Sequence, residues 1–131
     1  MREVYEFIQR TKVFHFATVD AQQRPRVRPF GTCVQIGDRL HFVTHTSKPV
    51  YEQLLANPWV EIEAYDAEPK QWLRLSGRVV WDDDPAIADA MEADAKARGK
   101  KPPVGDEVYF HLEDAEAQFC TMGGLVSAFS F

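Results

Sequence analysis

The sequence has little cysteine and no long apolar run. Its two cysteines, Cys33 and Cys120, stand far apart and outside any CxxC pair. One disulfide between them is open in principle, but buried reduced thiols on strands are favoured. No apolar run approaches the roughly 20 residues that a membrane-spanning helix needs, and residues 1–11 lack the apolar stretch of a signal peptide. We therefore expect a cytoplasmic protein without a membrane partner.

Positive charge is also scarce. Fifteen lysines and arginines stand against twenty acidic residues, which leaves a formal net charge of −5. This balance argues against a nucleic-acid backbone or an anionic membrane as the main partner. The chain has 131 residues, of which 45% are hydrophobic, and it shows no internal repeat. We expect one domain over residues 1–131 with one sizeable core.

The apolar pattern predicts a mainly β fold with three helices. Helical spacing is seen over residues 2–11. A second helix is predicted to start at residues 46–49, with Ser47 as N-cap, and to run to about residues 57–58. A third is predicted for residues 86–98, capped by the acidic run at 82–84. Strands are predicted at residues 13–19, 25–36, 39–45, 59–65, 72–81, 107–112 and 117–122. Six or seven short strands with antiparallel turn spacing indicate a barrel or sandwich decorated by helices.

One segment carries features of an anion site. Arg24, Arg26 and Arg28 alternate, so on a strand they share one face. The next strand runs through residues 44–49 directly into a helix, whose first turn offers unpaired N–H groups together with threonine, serine and lysine side chains. No glycine-rich phosphate-binding motif is present. Spacing alone leaves two interpretations open, a phosphate site and a solvated strand face with salt bridges.

Residues 13–81 resemble the pyridoxamine 5′-phosphate oxidase-like, FMN-binding split barrels. The matching segments, in order and spacing, are residues 16–20, 25–31, 40–48, 53–54, 57–58 and 72–77, and residues 108–112 and 115–117 resemble the short single-domain branch. The resemblance implies a six- to seven-stranded antiparallel split β-barrel, in which two barrels pair as a homodimer and FMN lies at their interface.

The resemblance also implies which residues hold the cofactor. Arg28, Ser47 and Lys48 match positions that contact the FMN phosphate, and Thr44 matches a position beside the flavin. The expected cofactor-binding set is Val27, Arg28, Pro29, Phe30, Gly31, Thr44, His45, Ser47, Lys48 and Trp72. Trp72 and Pro49 depart from the fuller oxidases, which carry a glutamine and a basic residue there. Both departures argue against pyridoxamine phosphate as the substrate.

The function expected from this resemblance is that of an FMN-dependent oxidoreductase that passes electrons from a reduced nicotinamide to a small acceptor. No side chain is an evident catalytic acid or base, and the four histidines show no metal-ligand spacing. A non-catalytic binder or carrier of FMN, haem or another tetrapyrrole is the alternative. A dimeric structural domain with an empty cleft is a third possibility.

Overall fold

A computed structural model describes residues 1–131 as three helices and eight strands. The helices are α1 (Arg2–Thr11), α2 (Pro49–Ala56) and α3 (Pro85–Ala97). The strands are β1 (Phe14–Val19), β2 (Pro25–Phe30), β3 (Val34–Ile36), β4 (Arg39–His45), β5 (Trp59–Asp66), β6 (Gln71–Asp82), β7 (Glu107–Thr121) and β8 (Gly124–Ser130). None of the helices has the length and apolar character needed to span a membrane.

All strands belong to one antiparallel sheet with the order β2-β1-β5-β6-β7-β4-β3, and β8 pairs with the second half of β7. The two ends of this order, β2 and β3, are not paired with each other, so the barrel stays open. The predicted mainly β, antiparallel split-barrel architecture is confirmed. The strand count is eight because residues 25–36 form two strands, residues 107–121 form one long strand, and β8 was not predicted.

The core is built from the alternating inward positions of these strands. It contains 21 buried residues, and four phenylalanines at its centre are fully buried: Phe14, Phe16, Phe42 and Phe110. Their rings lie within 5.5–6.3 Å of one another in edge-on and stacked pairs, an arrangement that adds stability beyond the buried area. Helix α1 covers the core with Val4, Phe7 and Ile8.

Of the two predicted helix N-caps, the one of α3 is confirmed and the one of α2 is not. Asp84 is the N-cap of α3 and accepts a hydrogen bond from the Ala86 N–H at 2.9 Å, as predicted. The predicted N-cap of α2 is wrong, because Lys48 occupies that position and no side chain caps the helix. The hydroxyl of Ser47 is directed elsewhere, to Asp106.

The two cysteines are free and buried, as the sequence favoured. Burial raises the pKa of the Cys33 thiol, which keeps it protonated and unreactive. The pair contributes packing volume to the interior.

Candidate functional site

Strand β2 places Arg28 opposite Phe16 of β1, with its guanidinium turned towards α2. Its Nη1 donates to the Phe16 carbonyl oxygen at 3.1 Å and to Thr18 Oγ1 at 2.8 Å. Its Nη2 donates to Gln53 Oε1 at 2.6 Å. All three acceptors are neutral, so they fix the position of the guanidinium and leave its charge uncompensated. Burial lowers the pKa of Arg28, yet an arginine stays protonated in proteins.

The other arginine of the strand is neutralised. Arg26 Nε donates to Asp20 Oδ2 at 2.8 Å. The pKa of Asp20 lies below its usual value, chiefly because its carboxylate accepts the Arg24 N–H, and because it also accepts from Arg26. By contrast, no ion pair of the chain involves Arg28 or Lys48.

Arg28 and Lys48 lie where two cavities meet. The larger, about 770 Å³, extends between β2 and α2, and the smaller, about 220 Å³, extends between β2 and β4. The combined space, called here the β2–β4 cleft, is of the size that small-molecule sites occupy. Thr44 lines its smaller part, and the buried Oγ1 of Thr44 has no hydrogen-bond partner. The cleft therefore presents two uncompensated cations and one unpaired hydroxyl.

The structure brings eight of the ten predicted cofactor-binding residues to this cleft. They are Val27, Arg28, Pro29, Phe30, Gly31, Thr44, His45 and Lys48. The two others, Ser47 and Trp72, line neither cavity.

Ser47 belongs to a neighbouring acidic cluster. Asp106 accepts from Ser47 Oγ at 2.6 Å and forms a 2.7 Å hydrogen bond with His45 Nδ1. The Ser47 hydrogen bond, followed by that of His45, holds the pKa of Asp106 below its usual value. Burial acts to raise the pKa of Glu107, but the N–H groups of Val104 and Gly105 outweigh it and the pKa is lowered. The cluster therefore consists of ionised carboxylates that orient the His45 ring at the cleft.

Trp72 lies near the start of β6, half-buried, paired with Tyr65 and Cys120. Trp72 lies outside both cavities of the cleft. The β2 side of the cleft is three strands away from β6, with Arg28 at the level of Leu75.

A third cavity of about 280 Å³ adjoins the cleft and shares Thr32, Val43 and His45 with it. Its walls include Met91 and Tyr109, and burial raises the pKa of the Tyr109 hydroxyl. Lys100 lies at its edge and donates from Nζ to the Gly31 carbonyl oxygen at 3.2 Å and to Thr32 Oγ1. The Lys100 contacts tie the segment after α3 to the chain between β2 and β3. We call this space the side chamber.

Sequence reasoning missed the residues that hold the site in place. Thr18, Gln53 and Asp106 were not among the predicted site residues, although each contacts one of them. Gln53 had a signal, because it belongs to the segments that carry the resemblance. Asp106 had none, because its partner Ser47 is 59 positions away in sequence and only the fold joins them.

Structural comparison places this architecture among known proteins. A NimC/NimA family protein from Clostridium acetobutylicum superposes with a TM-score of 0.81 and 29% identity, covering 100% of this chain and 93% of that one. A pyridoxamine 5′-phosphate oxidase-related, FMN-binding protein from Nostoc punctiforme gives a TM-score of 0.72 and 17% identity, with 99% and 95% covered. HutZ, the haem storage protein of Vibrio cholerae, gives 0.69 and 21% identity, with 98% and 92% covered.

No curated protein sequence matches this chain significantly. The family profile described as pyridoxamine 5′-phosphate oxidase, in contrast, matches residues 1–120, which is nearly the whole chain and includes every residue of the cleft. The chain belongs to the pyridoxamine 5′-phosphate oxidase family.

Proposed function

We propose that the protein binds FMN in the β2–β4 cleft and passes electrons from a reduced nicotinamide to a small acceptor. The observation that carries this proposal is the pair of cations without counter-ions, Arg28 and Lys48, at the junction of the two cavities. A dianionic phosphate monoester is the ligand group that such a pair fits.

The residues of the cleft suit the rest of an FMN molecule. Arg28 is already held by Phe16, Thr18 and Gln53, so little side-chain entropy is lost when it meets the phosphate. Thr44 Oγ1, buried and unpaired, offers a hydrogen bond to a polar edge of the ring system. Pro29, Phe30 and Gly31 line the smaller cavity and supply apolar and backbone surface for a flat ring.

When bound, FMN supplies the redox chemistry by accepting a hydride equivalent and releasing it. The chain contributes binding and orientation. The side chamber, walled by Met91 and Tyr109, is the place we assign to the acceptor, because it opens on the cleft beside Thr32, Val43 and His45. Its size limits the acceptor to a small molecule.

The active form in this proposal is a cytoplasmic homodimer. Three apolar or aromatic side chains that a monomer leaves exposed favour burial against a second copy: Val27 at 66%, Trp59 at 52% and Tyr65 at 50%. Closed twofold pairing is the common solution for such faces. Sedimentation equilibrium should give twice the 15.0 kDa chain mass, and a monomer that still holds FMN would contradict the dimer.

The decisive experiment is spectroscopic. Purified protein reconstituted with FMN should show flavin absorption near ~450 nm, which NADH or NADPH should bleach under anaerobic conditions and a small electron-poor acceptor restore. A haem Soret band near ~400 nm after reconstitution with haem, without flavin binding, would favour the alternative of a tetrapyrrole carrier. Bound flavin that neither nicotinamide reduces would leave an FMN carrier and exclude the proposed enzyme.

A further inference from the structure

The proposed function makes no use of a second group of titratable side chains, which lies in the interior where β4, β6 and β7 adjoin. His41, Asp82 and His111 come from these three strands, and the histidine side chains are only 2% and 5% exposed. Both rings point Nδ1 at the same carboxylate: His41 Nδ1 is 2.7 Å from Asp82 Oδ2, and His111 Nδ1 is 2.7 Å from Asp82 Oδ1. We call this group the His–Asp–His cluster.

The contact of His111 Nε2, the ring nitrogen that faces away from Asp82, indicates which nitrogen carries a hydrogen. His111 Nε2 is 3.1 Å from Glu113 Oε2, and two such atoms attract only when Nε2 carries a hydrogen. In a neutral ring that hydrogen leaves a lone pair on Nδ1, which would face the Asp82 carboxylate at 2.7 Å and be repelled. A cation between Nδ1 and the carboxylate, such as a metal ion, satisfies both contacts of the ring at once.

Three observations favour a metal ion. A histidine that ligates a metal typically donates its other N–H to a carboxylate, as His111 does to Glu113. The 2.7 Å separations of nitrogen and oxygen lie within about 1 Å of the spacing between ligands of a four-coordinate zinc ion, so small side-chain shifts suffice to admit one. The donors are also already convergent, since His41 Nδ1, His111 Nδ1 and the two Asp82 oxygens face one another without rearrangement of the backbone.

The surroundings supply charge and access. A cavity of about 360 Å³ opens on the cluster and is lined by Asp38, Asp82, Asp83 and Asp84, with Arg39 as its only lysine or arginine. Negative potential in such a cavity raises the local concentration of divalent cations. The buried Nε2 of His41, on the ring edge away from Asp82, has no hydrogen-bond partner in the chain. The cavity gives water molecules room to complete the coordination of an ion.

The other grouping of this kind, His45 with Asp106 and Glu107, is more exposed and contains one histidine in place of two. His45 and Asp106 are each 29% exposed at the side chain. Asp106 is satisfied by Ser47 and His45, and Glu107 accepts three hydrogen bonds from two backbone N–H groups. That cluster is complete without an ion.

The geometry points to a divalent transition-metal site at His41, Asp82 and His111. Two imidazole nitrogens with one carboxylate suit zinc, nickel, copper or ferrous iron better than magnesium or calcium. The site is separate from the β2–β4 cleft, so its occupancy does not depend on the proposed flavin chemistry. Glu113 lies outside the cluster and acts through another residue, because it positions the His111 ring.

The test is a titration of untagged, full-length protein, first treated with a chelator, with Zn²⁺ by calorimetry and with Co²⁺ by visible absorption. We expect one ion per chain and a Kd of about 10 μM or tighter for Zn²⁺. His41→Gln and Asp82→Asn should each weaken binding at least a hundredfold. Glu113→Gln should weaken it by roughly 10- to 100-fold, as second-shell changes do. Asp83→Asn, in the same cavity, and His45→Gln, in the other cluster, should change the Kd less than about threefold.

A wild-type protein that binds neither ion more tightly than about 1 mM would overturn the proposal and leave a proton between Nδ1 and the carboxylate. A wild-type affinity lost in His45→Gln but kept in His41→Gln would overturn it as well. If Asp82→Asn does not fold, Glu113→Gln decides the matter, because Glu113 lies at the partly exposed rim with 40% of its side chain accessible.

Discussion

The Nη2 atom of Arg28 lies 2.6 Å from Oε1 of Gln53, and this contact joins β2 to α2 across the candidate site. Thr18 Oγ1 donates to the same Gln53 oxygen, so one amide oxygen organises a cation and a hydroxyl from two strands. The result is a guanidinium that is fixed in place without being neutralised. This relationship makes the phosphate site testable, because removal of the Arg28 charge and introduction of a negative charge at Gln53 should both weaken phosphate binding.

Removal of the Arg28 charge should weaken FMN binding specifically. Charge-assisted hydrogen bonds contribute about 1.5–3 kcal/mol each, so Arg28→Ala should raise the Kd for FMN by roughly tenfold or more. Riboflavin, which lacks the phosphate, should bind almost unchanged. Both affinities are measured by flavin fluorescence titration.

Arg26→Ala provides the matched control for this prediction. Arg26 lies on the same strand but is paired with Asp20 at 2.8 Å, so its loss should change the FMN affinity less than about threefold. An Arg28→Ala variant that binds FMN as tightly as the wild type would remove Arg28 from the phosphate site.

Gln53→Glu should weaken FMN binding without loss of the fold. The substitution keeps the side-chain shape and replaces the neutral acceptor of Arg28 with a carboxylate, which compensates the guanidinium and repels a phosphate. We expect a Kd for FMN at least tenfold higher and a melting temperature equal to or above that of the wild type. Gln118→Glu, on β7 away from the cleft, is the control. Equal FMN affinity in Gln53→Glu and wild type would show that the ligand does not meet Arg28.

Trp72 should reach a flavin only through the dimer. It lines neither cavity of the cleft in its own chain, so we expect its contact with FMN to come from the second protomer. Quenching of tryptophan fluorescence by FMN should be smaller in Trp72→Phe than in the wild type. An unchanged quenched fraction in Trp72→Phe would exclude the residue from the site.

Acid should destabilise the Ser47–Asp106 contact. The pKa of Asp106 is lowered from its usual 3.8, first by Ser47 and then by His45. A depressed carboxyl pKa contributes stability that is present above 3.8 and is lost as the pH falls through the lower folded value. Melting temperature should therefore drop less steeply between about pH 5 and about pH 2.5, the range in which carboxyl groups titrate, in Asp106→Asn than in the wild type. Asp89→Asn, an exposed change on α3, should keep the wild-type slope.

Gly77→Ala should destabilise the fold where β6 crosses an irregularity in β7. A Cβ at this position would lie 3.2 Å from Leu112 Cβ and 3.3 Å from the Glu113 carbonyl oxygen, and overpacking of this kind costs about 1–3 kcal/mol. Gly123→Ala is the control, because its Cβ would meet Thr121 Oγ1 at an ordinary 3.6 Å. Urea unfolding should show a lower midpoint for Gly77→Ala than for the wild type and for Gly123→Ala. Equal midpoints would mean that β6 and β7 accommodate the added methyl group without loss of stability.

The irregularity between β6 and β7 is a feature that the sequence periodicity does not predict. The pairing shifts between Ser76 and Arg78, and on β7 Asp114 takes a left-handed φ of 51°. Apolar and polar residues alternate in each half of β7, and this pattern predicts two strands, at residues 107–112 and 117–122. The backbone passes through the bulge without a turn, so the structure has one strand of fifteen residues.

The sequence by itself determined the architecture and the greater part of the candidate site. Local alternation reveals strands because side chains on a strand point to opposite faces, and the ordered segments from residue 16 to residue 77 indicate the split barrel. Arg28, Thr44 and Lys48 follow from the resemblance of residues 13–81 to the split barrels, because spacing alone leaves a solvated strand face open as well.

Only the tertiary structure decided which charges stay uncompensated and which polar groups meet across the sheet. Nothing in the alternation of Arg26 and Arg28 says that Asp20 neutralises the first and that Gln53 holds the second. His41, Asp82 and His111 are separated by 41 and 29 positions, so their spacing along the chain has no metal-ligand pattern. They meet because β4 and β6 both pair with β7, and pairing register, set by burial of the whole core, determines which distant side chains become neighbours.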